Sequence, residues 1–268
     1  MSYFEDKVVI VTGGSEGIGK ALVEALLQQG AKVATCSRNY DKLYNLQTQC
    51  AGKPLFIKAA DVSKEAECKV FIEETIKIFG RIHILINNAG ISMRALFAET
   101  DMETLHRLMD VNFWGAVYCT QHALPFITKE RGDIVGVSSI AGFRGLPGRS
   151  GYSASKFALN GWLEALRTEL YVTGVNVMWV CPGYTASNIR KTALNKNAEP
   201  QGESPLDEDK LMSSEECARH ILKAIERRKR TLVLTVTGKE TVLINKFLPS
   251  LADKLVYKFF FKNGVLSK

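Results

Sequence analysis

The chain has 268 residues, 46% of them hydrophobic and 24% charged, a balance that fits a soluble globular protein with one sizeable core or two small ones. No run of eighteen apolar residues occurs, so no transmembrane helix is expected, and the start, MSYFEDKVVIVTGG, lacks the basic n-region of a signal peptide. The net charge of +7 is uneven: residues 227–268 hold ten Lys/Arg and two acidic residues, whereas the other 226 hold 25 basic and 26 acidic ones, so nucleic acid, an anionic membrane surface or an anionic ligand would each suit the basic end.

Short β-rich runs alternate with helical stretches. KVVIVT (7–12) is nearly continuous in β-branched residues and reads as a buried strand. Glycines follow, then a helix, KALVEALLQQG, with its stop at Gly30. Next come a strand at 32–37, a helix at 40–50, a strand at 54–60, a helix at 64–79 and a strand at 83–88. A long helical region spans about 101–129, with Pro125 near its end. A strand at 133–139, a helix at 152–173 and a strand at 175–180 come next, and a serine-capped helix (213–228) and a strand (231–236) complete the series. Such alternation predicts an α/β fold with one doubly wound, parallel, seven-stranded sheet covered on both faces. No linker or repeat divides the chain, so one domain is expected over 1–238, with a tail at 239–268. Residues 184–212 are polar and irregular and read as a mobile substrate loop. Cys36, Cys50, Cys68, Cys119, Cys181 and Cys217 form no CxxC pair and lie near no His at ligand spacing. Buried thiols in a reducing cytoplasm are expected, with no metal site.

TGGSEGIG (12–19) links the first strand to the first helix. Glycines there allow a tight turn and close approach to a pyrophosphate, and the helix N-terminus offers free N–H groups. Gly13, Ser15, Gly17, Ile18 and Gly19 are therefore candidate dinucleotide contacts. The second strand ends in Ser37 and Arg38. A guanidinium in place of a carboxylate favours a ribose 2′-phosphate, hence NADP(H). Asp61 can accept from an adenine amino group, with Val62 beside the ring. NNAG (87–90) places Asn88, Ala89 and Gly90 where side chains stitch the sheet and the backbone passes close to the cofactor.

GYSASKFALNGW (151–162) sets Tyr152 four residues before Lys156, one turn apart on one helix face. Alone the pair suits any helix. Together with TGGSEGIG, DV (61–62), NNAG, Asn112 in DVNFWG, Ser139 in VSSIAG, and PG (182–183), it makes residues 7–183 resemble the short-chain dehydrogenase/reductase family, in order and spacing. The resemblance implies a Rossmann-type domain with catalytic Asn112, Ser139, Tyr152 and Lys156. Tyr152 and Lys156 also contact the nicotinamide ribose, and Pro182, Gly183 and Thr185 lie beside the nicotinamide. Ser187 replaces the family's usual Thr, and Glu16 stands where some NADP-using members carry a basic residue. A free Tyr titrates near 10, and the Lys156 ammonium is expected to lower that value. Tyr152 then protonates the forming alkoxide, Ser139 holds the carbonyl oxygen, and Asn112 supports a water that refills the proton.

Phe143, Leu146 and Tyr184, with Ser139, are candidate substrate contacts, and Pro147, Ile189, Met93 and Leu96 lie near them. Their apolar character suggests a hydrophobic ketone. In the tail, Leu248, Ala252, Leu255, Val256, Phe259 and Phe260 fall broadly on one side of a helix, and Lys254, Lys258 and Lys262 form a stripe. Such a helix serves a membrane surface or packs on a neighbouring subunit. The tail also resembles those of membrane-associated family members that reduce lipid or steroid ketones. The reading is an NADPH-dependent reductase of a hydrophobic, 3-ketosphinganine-like or steroid-like ketone. Its alternatives are a 3-oxoacyl-thioester reductase and a non-catalytic NADP(H)-binding sensor. A cytoplasmic homodimer or homotetramer, peripheral at a membrane, is expected, and no nucleic acid partner.

Overall fold

The computed structural model describes residues 2–267. Seven strands form one sheet: β1 (Val8–Thr12), β2 (Lys32–Ser37), β3 (Leu55–Ala59), β4 (Ile84–Asn87), β5 (Asp133–Val137), β6 (Asn176–Cys181) and β7 (Thr231–Val233). Their order is β3-β2-β1-β4-β5-β6-β7, and every pairing is parallel. This is the doubly wound Rossmann-type sheet expected from the alternation. All five residues of β1 are buried, as a central strand covered on both faces requires.

One face of the sheet carries α1 (Gly17–Gln28) and α7 (Ser214–Glu226), and Leu22, Val23, Leu26, Ile221 and Ile225 pack there on Val9, Val11 and Met178. The other carries α3 (Glu65–Phe79), α5 (Gly115–Lys129) and α6 (Ser150–Glu169), with Phe71, Ile72, Cys119, Leu159 and Leu163 against Ile10, Leu85 and Ile134. Each fully buried side chain of this size contributes about 1.5–3 kcal/mol. α2 (Tyr40–Gln49) is capped by Asn39, which accepts from the Lys42 amide at 3.0 Å. Ser213 does the same for α7, accepting from the Glu216 amide at 3.0 Å.

The chain reverses its direction of sheet growth between β1 and β4. It adds β2 and β3 on one side of β1, then returns to place β4 on the other. The carboxyl ends of β1 and β4 therefore flank a crevice, the position where open α/β sheets bind ligands. TGGSEGIG leaves β1 and NNAG leaves β4, so both motifs line it.

Several boundaries differ from those expected. The region 101–129 is α4 (Met102–Met109), a π-helical turn (Asp110–Trp114) and α5 in succession. The strand expected at 231–236 stops at Val233, because Leu234 and Thr235 turn the chain into α8 (Val236–Phe247), with Thr235 at φ 63°. The boundary expected at 238 thus falls inside α8. The tail holds a second helix, α9 (Pro249–Phe260), and a hairpin of β8 (Phe261–Lys262) and β9 (Val265–Leu266). The lysine stripe is broken: α9 ends at Phe260, so Lys254 and Lys258 lie on the helix and Lys262 in β8. Of the six cysteines, all free, five are buried and Cys50 is half-buried.

Candidate functional site

The crevice is lined by backbone. Gly13 (φ +69°) and Gly17 (φ +52°) both occupy the left-handed region that favours glycine. A Cβ on Gly13 would come within 2.8 Å of the Ala89 Cα, and one on Gly19 within 2.5 Å of Asn88 Nδ2. The N-terminus of α1 opens on the same space, and its first turn holds no acidic side chain. A cradle of this kind fits the pyrophosphate of a dinucleotide. Asn88 closes its floor: Nδ2 donates to the Thr12 carbonyl at 2.9 Å and the Gly13 carbonyl at 3.2 Å. Thr12 Oγ1 accepts from the Asn88 and Ala89 amides, both at 3.0 Å. The stitching role expected of NNAG is present, with Thr12 as a partner that sequence reading did not single out.

At the end of β2, Ser37 Oγ donates to the Asn39 carbonyl at 3.1 Å, and Arg38 is exposed. Glu16 is engaged by the Lys42 ammonium and by Asn188 Nδ2. Lys42 therefore offsets the negative charge of Glu16, and nothing in the motif spacing signalled it. Asp61 Oδ1 accepts from the Ser63 amide and hydroxyl at 3.0 and 2.8 Å, shaping the turn into α3. Val62 is buried against Gly115 of α5.

Ser139 follows β5, and Tyr152 and Lys156 sit on α6. All three meet at the carboxyl end of the sheet. Tyr152 is 9% and Lys156 4% exposed. The Lys156 ammonium lies 5.8 Å from the Tyr152 ring centre and donates to the Val137 carbonyl at 2.9 Å. A Cβ on Gly90 would lie 3.1 Å from Asn112 Oδ1 and 3.5 Å from Lys156 Nζ, so the glycine of NNAG leaves room for both groups. Burial pushes Tyr152 above its ordinary range, against a hydrogen bond with Ser139 and the positive charges of Arg149 and Arg190. Burial likewise pulls Lys156 down to about 8. The expected lowering of Tyr152 by Lys156 is therefore not the dominant effect. Desolvation wins, and the ammonium is turned toward Val137.

Asn112 sits in the π turn, a backbone irregularity common at functional sites. Its Oδ1 accepts from the Ile91 amide at 2.8 Å, and its Nδ2 donates to the Ile91 carbonyl at 3.0 Å and to Ser155 Oγ at 2.9 Å. Its side chain thus fastens the segment after β4 to α6, where Ser155, another residue unremarked in the sequence, completes the link.

Beyond the crevice, residues 184–212 are tied down rather than loose. Arg190 is 6% exposed. Its Nε donates to Glu208 at 2.7 Å and its Nη2 to the Thr185 carbonyl at 2.6 Å. This pairing holds the Glu208 carboxyl down at about 2. β-bridges join Met93 to Leu194 and Thr185 to Met212. Thr185 is buried, and a Cβ on Gly183 would come within 2.5 Å of Thr235, while Pro182 is buried beside it. Leu146 packs with Met93, Leu108, Leu194 and Tyr152. Tyr184 is half-exposed and stacks on Phe259 of α9, ring centres 6.3 Å apart. Phe143 packs with the core under β5 and β6, and its carbonyl accepts from Asn245 Nδ2 at 2.9 Å. Arg144 reaches Asn245 Oδ1 at 3.0 Å and pairs with Asp253. The tail therefore docks on the 143–148 segment of its own chain.

A family model described as "short chain dehydrogenase" matches residues 7–198. The chain is 37% identical over 260 residues to "11-beta-hydroxysteroid dehydrogenase A" of Arachis hypogaea, covering 92% of this chain and 73% of that one. It is 30% identical over 258 residues to "Dehydrogenase/reductase SDR family member 7B" of Mus musculus, covering 94% and 77%. A solved short chain dehydrogenase/reductase from Burkholderia phymatum in complex with NAD superposes with a TM-score of 0.84 at 21% identity, over 94% of this chain and 96% of that one. An alcohol dehydrogenase from Thermococcus sibiricus complexed with 5-hydroxy-NADP gives 0.77 at 23%, over 86% and 96%. These likenesses and the motif order lead to one conclusion: the chain belongs to the short chain dehydrogenase family of oxidoreductases.

Proposed function

We propose that this chain is an NADPH-dependent reductase of a hydrophobic, lipid-like ketone, of 3-ketosphinganine or steroid type. The observation that carries the reading is the meeting of Ser139, Tyr152 and Lys156 beside a backbone-lined cradle at the switch point of the sheet. Gly13, Ser15, Gly17, Ile18 and Gly19 would hold the pyrophosphate, and Asp61 and Val62 the adenine. Asn88, Ala89, Gly90, Pro182, Gly183 and Thr185 would border the nicotinamide, with Tyr152 and Lys156 on its ribose. NADPH bound there supplies the hydride. Ser139 donates a hydrogen bond to the carbonyl oxygen and Tyr152 gives that oxygen its proton. Burial keeps Tyr152 protonated through the neutral range, which favours reduction. Lys156, titrating near 8, replaces the proton.

NADP(H) over NAD is favoured by Arg38 at the end of β2 and by the pairing of Glu16 with Lys42. A steroid-like or lipid-like substrate is favoured by the apolar residues around Tyr152 and by the kinship with the Arachis hypogaea protein. Among the described residues no helix is long and apolar enough to cross a membrane. Leu243, Phe247, Leu248, Leu251, Leu255 and Tyr257 of the tail are nevertheless exposed beside Lys246, Lys254 and Lys258, which supports peripheral contact with an anionic bilayer. Trp114 and Phe157 are exposed beside α5 and on α6, a surface on which a homodimer would form.

The test is NADPH oxidation with 3-ketosphinganine in mixed micelles, with Tyr152→Phe alongside. Turnover that vanishes in the variant supports the reading. Tight NADPH binding without turnover of ketosphinganine, steroid ketones or 3-oxoacyl thioesters would replace it with a non-catalytic nucleotide sensor.

A further inference from the structure

Arg149 occupies the N-cap position of α6, three residues before Tyr152. Its side chain runs inward, and Nη1 donates to Ser92 Oγ at 3.0 Å. Ser92 is 2% exposed and lies just beyond NNAG, which brings the guanidinium to the reactive end of the crevice. The groups that act most on its charge are Tyr184, Tyr152, Arg190 and Arg94. None is a carboxylate. Among the described residues the arginine ion pairs are those of Arg144, Arg190 and Arg219. Glu208 is spent on Arg190, and Arg94 leaves a buried Nε without an acceptor. Arg149 and Arg190 thus both act on the candidate acid, Arg94 acts on Arg149, and one carboxylate stands among the three.

Arg149 itself is half-buried, and no carboxylate pairs with it among the described residues. A guanidinium carries five N–H donors, and Ser92 Oγ is the one acceptor of Arg149 among the described residues. None of its nitrogens is both buried and unpartnered, so its remaining donors stay open to a ligand, and a partly desolvated charge without a counter-ion favours an anion. An anion arriving with the substrate would meet those donors and supply the missing counter-charge. Leu146, Met93 and Leu194 flank the same Tyr152 with apolar surface, so a hydrophobic chain has somewhere to lie while its anionic group meets Arg149.

We propose that Arg149 is a specificity-determining residue and that the ketone reduced here carries an anionic oxygen group, carboxylate or phosphate, close to its carbonyl. The inference rests on the reductase reading and narrows its substrate to amphiphilic keto compounds. It favours keto lipids with an acidic group over neutral steroids.

Two measurements test it. In the first, NADPH oxidation is followed with 4-oxododecanoate against its methyl ester, and with 1-hydroxydodecan-2-one phosphate against the unphosphorylated ketol. The wild type should prefer the charged member of at least one pair in kcat/KM by about ten- to a hundredfold, the size of a charge-assisted hydrogen bond. The pair that shows the preference tells carboxylate from phosphate. Arg149→Met should bring the ratio near one, and Arg149→Lys should restore part of it. Equal losses on charged and neutral substrates, or no preference in the wild type, would overturn the proposal.

The second is calorimetric titration of laurate, dodecyl phosphate and dodecanol into the NADPH-loaded protein, which reads binding without turnover. Selective binding of an anion, lost in Arg149→Met, supports the recognition role even where no ketone is reduced. Failure of every ketone with that selectivity intact would count against the reductase reading alone. Equal binding of laurate, dodecyl phosphate and dodecanol would count against Arg149 alone. Unaltered NADPH binding by Arg149→Met, followed by fluorescence, establishes that the variant is folded.

Discussion

The crevice between β1 and β4 and the cap formed by residues 184–212 and the tail after β7 lie at the carboxyl end of the sheet, yet they are built on different physical terms. The crevice is local. Its shape comes from backbone turns and missing side chains within a few residues of each strand end: a Cβ at Gly13 or Gly19 would strike Ala89 or Asn88. The cap is held by side chains that meet across long sequence separations, Arg144 with Asn245 and Asp253, Arg190 with Glu208, and Tyr184 with Phe259. A fault in the first should abolish binding or chemistry. A fault in the second should alter which substrate is accepted and how well.

The largest effect is expected at the junction of the two. Tyr152→Phe keeps the ring but removes the proton, so kcat should fall by about 10²–10⁴-fold while NADPH still binds. A loss below tenfold would assign the proton to another group. Next, Arg38→Asp tests the crevice alone. If the Arg38 guanidinium meets a 2′-phosphate, replacing it with a carboxylate should shift the NADPH-to-NADH ratio of kcat/KM toward NADH by about ten- to a hundredfold. An unchanged ratio would move phosphate recognition to Lys42.

A pH profile separates two roles for Lys156. Its pKa is lowered to about 8, below the ordinary 10.5. The free protein therefore holds the protonated form below pH 8 and loses it as pH rises through that value. If Lys156 feeds the proton, ketone reduction should fall about tenfold per unit well above pH 8, and Lys156→Met should show no such limb on its residual rate. The same depressed value means that the buried ammonium costs stability below pH 8, a cost relieved as pH climbs from 8 toward 10.5. Thermal midpoints of wild type and Lys156→Met should thus converge over that range if other titrations are common to both.

These differences explain what could be read from the residues alone. The sheet, the glycine turn and the Tyr152–Lys156 spacing were legible because each depends on residue type at short range. Asn88 illustrates this, since its amide reaches back to the end of β1 as the motif demands. The electrostatics of Tyr152 were not legible. They depend on how deeply α6 is covered and on Arg149 and Arg190, which no spacing rule links to Tyr152. The tail was half legible. Its amphipathic composition predicted a helix, but the break after Phe260 and the docking of Asp253 on Arg144 are tertiary facts. Nor did composition reveal that residues 184–212 are latched by an internal ion pair.

The latch gives a smaller prediction. Arg190→Met removes the partner that holds Glu208 at about 2 and frees the Thr185 carbonyl, so on the proposed reading KM for the ketone should rise several-fold with a lesser change in kcat, by loosening the segment beside the crevice. Because the carboxyl is depressed from 4.5 to about 2, the latch contributes fully above pH 4.5 and is lost as pH falls toward 2. Glu208→Gln should copy the neutral-pH defect of Arg190→Met if the ion pair matters, and should leave KM unchanged if only the Thr185 contact does.

The smallest effect is expected from the outer surface of the cap, and there the choice of variant decides what is learned. Removing residues 246–268 would take away Asp253 and Phe259 as well as the exposed apolar side chains, so lost vesicle binding could follow from a damaged cap. Leu251→Glu and Leu255→Glu change side chains that are 43% and 45% exposed and leave the contacts of Arg144 and Tyr184 in place. Each should weaken sedimentation with phosphatidylserine-containing vesicles by a few-fold, since about one large side chain's apolar burial is exchanged for repulsion from an anionic surface. Turnover of a soluble ketone should stay within twofold, because neither residue borders Tyr152. Binding unchanged in both variants would assign this surface to a protein neighbour, and gel filtration of the same variants would then show a shift in oligomeric state.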